Sequence, residues 1–125
     1  MRRIVNADAA PAAIGPYSHA NVIGELVFTS GQLGLDPATG KLADGIEAQT
    51  DQALKNLAAV LEASGSSLDR VLKATVFLCD MGAFAAANAV YARYFSGGSL
   101  PSRSAVEVSG LPMGALIEIE VVAAV

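Results

Sequence analysis

Tryptophan is absent from the chain, histidine and cysteine occur once each, and charged residues make up only 16% of its 125 positions. One cysteine forms no intramolecular disulfide, and Cys79 sits in an apolar run where a reduced, buried thiol is the expectation. The sole histidine, His19, has no Cys, Asp or His neighbours at ligand spacing, which argues against a zinc site, so no metal is expected. With no serine in a Gly-x-Ser-x-Gly elbow, that one histidine gives no basis for a catalytic triad. Lysine and arginine total eight against twelve acids, for a formal charge of −4, and they form no cluster. Nucleic acid is therefore not an expected partner, and the scattered aromatics offer no stacking platform for bases. The first six residues are basic but lead into no long apolar segment. They read as neither signal peptide nor membrane span, so no membrane association is expected and a cytoplasmic location is.

What the chain has in excess is apolar surface, at 53% of residues. Its length suits one domain over residues 1–125, able to bury a real core without disulfides, with apolar surface left over to pack against copies of itself. Residues 2–6 predict a short edge strand. Pro11 and Gly15-Pro16 impose a rigid irregular segment, because each proline fixes its own φ and restricts its predecessor. Val22, Ile23, Leu26, Val27 and Phe28, broken at Gly24-Glu25, predict a β-hairpin, while Gly31, Gly34 and residues 36–40 read as surface loop and turn. A helix is expected from about Gly45 to Ser64-Gly65. Ala48, Leu54, Leu57, Ala58 and Leu61 form its apolar stripe, and Gln49, Asp51, Gln52, Lys55 and Asn56 face elsewhere. Residues 71–79 alternate as a strand, with Leu72, Ala74, Val76 and Leu78 on one face and Lys73, Thr75 and Phe77 on the other. A second helix over 81–95 carries Phe84, Asn88, Tyr91 and Phe95 near one stripe and stops at Gly97-Gly98. Strands over 102–108 and 116–124 complete the chain.

This order predicts an α+β fold, a two-layer structure with a mixed β-sheet and two helices packed on one face, because alternating βα units and a dinucleotide fingerprint are missing. Thr75, Phe77, Ala105 and Val122 are expected on faces the helices do not reach, to be covered by oligomerisation.

Chemistry concentrates near the C-terminal strands. Arg103 opens an alternating strand in a chain poor in cations, and its planar guanidinium suits a carboxylate or phosphate; the alternative is a structural ion pair with Glu107, Glu118 or Glu120. Glu118 and Glu120 share a strand face, where a carboxylate beside a bound carbonyl or imine can orient water or move a proton; the alternative is the polar side of a half-exposed strand. Tyr17 lies in a compact loop able to close over a small ligand or to pack at an interface. Ser30-Gly31-Gln32 offers backbone groups with little obstruction, and Asn88 is a polar residue in an apolar stripe.

Residues 14–18 (Ile-Gly-Pro-Tyr-Ser), 28–33 (Phe-Thr-Ser-Gly-Gln-Leu), 101–108 (Pro-Ser-Arg-Ser-Ala-Val-Glu-Val) and 117–120 (Ile-Glu-Ile-Glu) resemble, nearly end to end and in order, the reactive-intermediate (enamine/imine) deaminase family, also called Rid or YjgF. The resemblance implies a chorismate-mutase-like fold and a homotrimer with an active site at each subunit interface. It also implies cofactor-free hydrolysis of small 2-imino and 2-enamino acids such as 2-aminoacrylate to 2-oxo acids and ammonia. By the same resemblance Arg103 grips the substrate carboxylate and Glu118 positions or activates water. Tyr17, Ser30, Gly31, Asn88 and position 105 contribute to substrate binding. Ala105 is a departure, since many active relatives carry cysteine there; a thiol contribution is absent and a backbone role survives. Two other functions are attached to relatives or to such a cleft: a ribonuclease or translation inhibitor, which the acidic surface disfavours, and a non-catalytic metabolite-binding or chaperone-like trimer.

Overall fold

Alternation along the strands becomes two unlike sheet faces in the computed structural model, which describes residues 1–125. The strands are β1 (Arg3–Val5), β2 (Ala20–Ile23), β3 (Leu26–Thr29), β4 (Gln32–Leu33), β5 (Val71–Leu78), β6 (Ser102–Glu107) and β7 (Ile117–Ala124). Two helices accompany them, α1 (Gly45–Ala63) and α2 (Phe84–Tyr94). The sheet order is β1-β2-β3-β7-β5-β6, with β4 pairing the start of β7 beyond the end of β3. All pairs are antiparallel except β5 with β6, and α2 supplies the crossover such a parallel pair requires. The predicted α+β arrangement holds, with both helices on one face. The hairpin turn falls at Gly24-Glu25, where Gly24 takes φ +58°, a conformation that favours glycine.

α1 packs Ala53, Leu54, Leu57, Val60 and Leu61 onto the sheet, all inaccessible to solvent. Its end is a Schellman turn: Ser66 N–H donates to Leu61 O at 2.8 Å and Gly65 N–H to Glu62 O at 3.1 Å, with Gly65 at φ +85°. Under the helices lie Val22, Val27, Ala74, Val76, Ile117 and Ile119. The other face carries Ile23, Phe28 and Val106, which are 52%, 45% and 42% exposed, with Thr75, Phe77 and Val122 half-buried among them. A bare face this apolar needs a cover. No helix is long and apolar enough to cross a membrane.

Several sequence expectations change. A register shift between Val71 and Lys73 buries Val71 and turns Leu72 outward, because the bulge resets the alternation before Ala74. Ala105 of β6 lies on the helix face, in register with Val76 of β5, and packs against the main core rather than on the bare side. The segment expected as plain loop after β3 contains β4, whose Gln32 and Leu33 are both buried. Ala48 is exposed, whereas Gln49 and Asn56, expected to face outward, are buried. Asn56 Nδ2–H groups donate to Leu33 O at 3.0 Å and Leu35 O at 2.9 Å. Gln49 donates to Ala43 O at 3.1 Å and accepts from Leu116 N–H at 2.8 Å. These amides serve as backbone partners for chain that has almost no ladder of its own. Gly34 lets that chain approach closely, since a Cβ there would lie 2.5 Å from Gln49 Cα.

Asn56→Ala strands two carbonyls, and we expect a stability loss of about 1–3 kcal/mol for each one left dry. Urea unfolding measures it; a loss no larger than that of an exposed alanine substitution such as Glu62→Ala would refute the role assigned to Asn56.

Candidate functional site

Glu118 stands on the bare side of β7, in register with Leu33 on one flank and Phe77 on the other. Its carboxylate faces a cleft of about 490 Å³ whose walls include Tyr17, Ser30, Gly31 and Leu35. Gly31 is required here: a Cβ at that position would fall 1.9 Å from Glu118 Oε2 and 2.6 Å from Cδ. No side chain or backbone group of the chain hydrogen-bonds the Glu118 carboxylate. Burial first, and the Glu120 carboxylate second, push its carboxyl above the usual glutamate range. Ser30 Oγ–H donates to Ser18 O at 2.6 Å, leaving the hydroxyl only acceptor capacity toward a ligand. Tyr17 is 47% exposed at the rim, its backbone N–H turned back to Gly15 O at 2.9 Å.

Arg103 lies elsewhere. In register with Ala74, it emerges on the helix side of β6, and one Nη–H donates to Asn88 Oδ1 on α2 at 2.6 Å. The guanidinium carbon sits 4.8 Å from the Tyr91 ring centre and 5.3 Å from that of Phe84. Two aromatic faces and one amide therefore hold the cation without neutralising it. The structural ion pair left open by the sequence is not formed: Glu107 instead accepts from Met81 N–H at 2.7 Å, and the ion pair within the chain is Lys55–Asp51 at 3.0 Å. A second cleft, of about 380 Å³, runs past Arg103, Asn88, Tyr91 and Phe95. Burial pushes the Tyr91 hydroxyl up, with the Arg103 charge opposing, and that hydroxyl is buried without a partner. Ala105 lies two residues along β6 on the same face as Arg103, half-buried.

The sequence-predicted residues thus form two groups. Tyr17, Ser30, Gly31 and Glu118 meet in the larger cleft; Asn88, Arg103 and Ala105 meet on the helix side. Within one chain the sheet stands between them. Sequence reasoning missed Pro11, Ala12 and Pro112 in the walls of the larger cleft and the part played by Phe84 and Tyr91 around Arg103. The seven-residue spacing of those two aromatics, two helical turns, was the available signal.

Residues 7–125 match the family model described as Endoribonuclease L-PSP. A mouse protein named 2-iminobutanoate/2-iminopropanoate deaminase is 45% identical over 124 residues, covering 98% of this chain and 91% of the mouse protein. The crystal structure of RidA from the Antarctic bacterium Psychrobacter superposes with a TM-score of 0.95 at 42% identity, covering 98% of this chain and 99% of that one. The crystal structure of Escherichia coli TdcF with bound serine gives 0.94 at 38% identity, covering 98% of each chain. The chain belongs to the Endoribonuclease L-PSP family, the family of the Rid and YjgF proteins.

Gly31→Ala adds one methyl where the Glu118 side chain now lies, and we expect Glu118 to be displaced while the fold persists. Crystallography and thermal melting check this; an unmoved carboxylate in the variant would contradict the close approach described above.

Proposed function

We propose that this protein is a hydrolytic deaminase of small 2-imino acids, converting 2-iminobutanoate and 2-iminopropanoate to the 2-oxo acids and ammonia without a cofactor. Residues 1–125 act in this reading as one Rid-type domain, and the working site joins the Arg103 group of one copy to the Glu118 cleft of its neighbour in a homotrimer. The observation that carries it is a complementary pair: a cation with no counter-ion, cradled by Asn88, Phe84 and Tyr91, and a half-buried carboxylate with no partner in a cleft of about 490 Å³. Their opposite placement across the sheet calls for two chains, and the bare apolar face around Phe28 and Val106 gives the copies a surface to bury. The names of the curated mammalian relatives at 43% to 46% identity point to the same substrates.

In that site Arg103 binds the substrate carboxylate, fixing C2 of the iminium beside a water held by Glu118. As water adds to C2, its proton passes to the Glu118 carboxylate, and the C=N pair moves to nitrogen. Glu118 then returns the proton to the carbinolamine nitrogen. The C–N bond breaks, the hydroxyl oxygen forms C=O, and departing ammonia takes the hydroxyl proton to leave as ammonium. The raised carboxyl of Glu118 makes it a stronger base than an ordinary glutamate for the first step, and a carboxylic acid is still acidic enough to return the proton to an amine nitrogen in the second. Tyr17 and Gly31 shape the wall, and Ala105 contributes only backbone and a methyl. A ribonuclease would need phosphate-binding charge along a surface, and the chain offers a formal charge of −4. A reducing, cytoplasmic setting belongs to this reading, with Cys79 a free, half-buried thiol donating to Ala115 O at 3.1 Å.

The test generates the imines in situ from several amino acids and follows loss of semicarbazide-trappable material against pH. Arg103→Ala forfeits a charge-assisted contact of about 1.5–3 kcal/mol, a fall of roughly 10- to 150-fold in kcat/KM. The Glu118 carboxylate is present only above its raised pKa, so wild-type rate falls as pH drops through a value above the usual glutamate range; Glu118→Gln lacks that limb. Undiminished hydrolysis by Arg103→Ala would refute the proposal.

A further inference from the structure

His19 has no part in the reaction above, yet it is 3% exposed and both of its ring nitrogens are engaged. Ala7 N–H donates to Nδ1 at 2.9 Å, and Nε2 lies 2.7 Å from the Pro11 carbonyl oxygen. A carbonyl only accepts, so Nε2 carries the hydrogen and Nδ1 presents its lone pair; the partners fit the neutral Nε2–H ring. The backbone of the same residue is tied on both sides, its N–H donating to Asn6 Oδ1 at 3.2 Å and its carbonyl accepting from Ser30 N–H at 2.9 Å. Residues 6–12 belong to no strand or helix, and their own backbone adds one bond, Ala10 N–H to Ala7 O at 3.3 Å. That strap carries Pro11 and Ala12 into the wall of the Glu118 cleft, and Tyr17 joins the same wall two residues before His19. A further groove lined by strap residues and His19 also includes Asp8.

We infer that His19 is a positioning residue of the imine-hydrolysing cleft: by bridging Ala7 and Pro11 it fixes the Pro11, Ala12 and Tyr17 part of the lining of the Glu118 cleft and so sets the width open to substrate. This rests on the function proposed above. The wall meets the substrate in ground state and transition state alike, so its loosening acts on binding more than on turnover. Glutamine offers one acceptor and one donor on a planar end group and can remake both bonds, whereas leucine fills the space and makes neither.

Three forms of the full chain decide the matter: wild type, His19→Gln and His19→Leu. Amide exchange at Ala7 reads the bridge directly, and steady-state hydrolysis of in situ 2-iminobutanoate reads the site. We expect His19→Leu to speed exchange at Ala7 and raise KM about tenfold with kcat within about twofold, and His19→Gln to restore both. Ring nitrogen shifts of wild type add a measurement independent of any variant's folding, with Nδ1 expected unprotonated and Nε2 protonated. A ring protonated at Nδ1, a leucine variant with wild-type KM, or a glutamine variant no better than leucine would overturn the inference while wild-type hydrolysis left the proposed function standing. Absence of hydrolysis in wild type would overturn the proposed function and the positioning role with it.

Discussion

Because neighbouring residues of a strand point to opposite sides, the sheet that buries Ile117, Ile119 and Val121 beneath two helices must turn Glu118 and Glu120 to its other side. The same rule, carried through the parallel register of β5 and β6, sends Arg103 and Ala105 to the helix side and leaves Val106 on the bare one. Packing of the core and placement of the chemistry are therefore one decision. A one-residue slip of β7 would bury two carboxylates and expose three large aliphatic side chains, a cost that pins the register.

The two halves of the candidate site are held by different means. Arg103 forms no ion pair within the chain and has an amide and two aromatic faces instead, which order the guanidinium and leave its charge without a counter-ion. Glu118 is partly withdrawn from water, with another carboxylate on its strand and a glycine in place of any side chain at its back. Burial and like charge make the second arrangement unfavourable for an ionised Glu118 in the isolated chain. In the proposed function both serve a ligand carrying an acid group and an electrophilic carbon that bridges two copies, and the exposed Phe28 and Ile23 lie on the face that reading covers with a second copy.

Much of this was legible in sequence. The β2–β3 hairpin, α1 and the β7 alternation each rest on several residues repeating at one period, and the four motifs singled out Tyr17, Ser30, Gly31, Arg103 and Glu118 as candidates, four of which the structure gathers in one cleft. What escaped notice rests on single residues. β4 spans two positions between glycines, too short to show a period, and the carbonyls of Leu33 and, just past the strand, Leu35 are satisfied by Asn56, an amide that reads as surface until its partners are seen. Leu72 fits a strand face until a bulge, invisible in the pattern, shifts the phase. The separation of Arg103 from Glu118 follows from pairing of strands far apart in sequence, which neither strand encodes alone.

The most direct measurement mixes two crippled forms. Arg103→Ala and Glu118→Gln, each lacking one half of the site, are unfolded together and refolded as mixed oligomers. If the site is built from two copies, an equal mixture regains activity at about a quarter of its interfaces, where an intact guanidinium meets an intact carboxylate. Activity that never exceeds the sum of the two parents, at any mixing ratio, would contradict a site shared between chains.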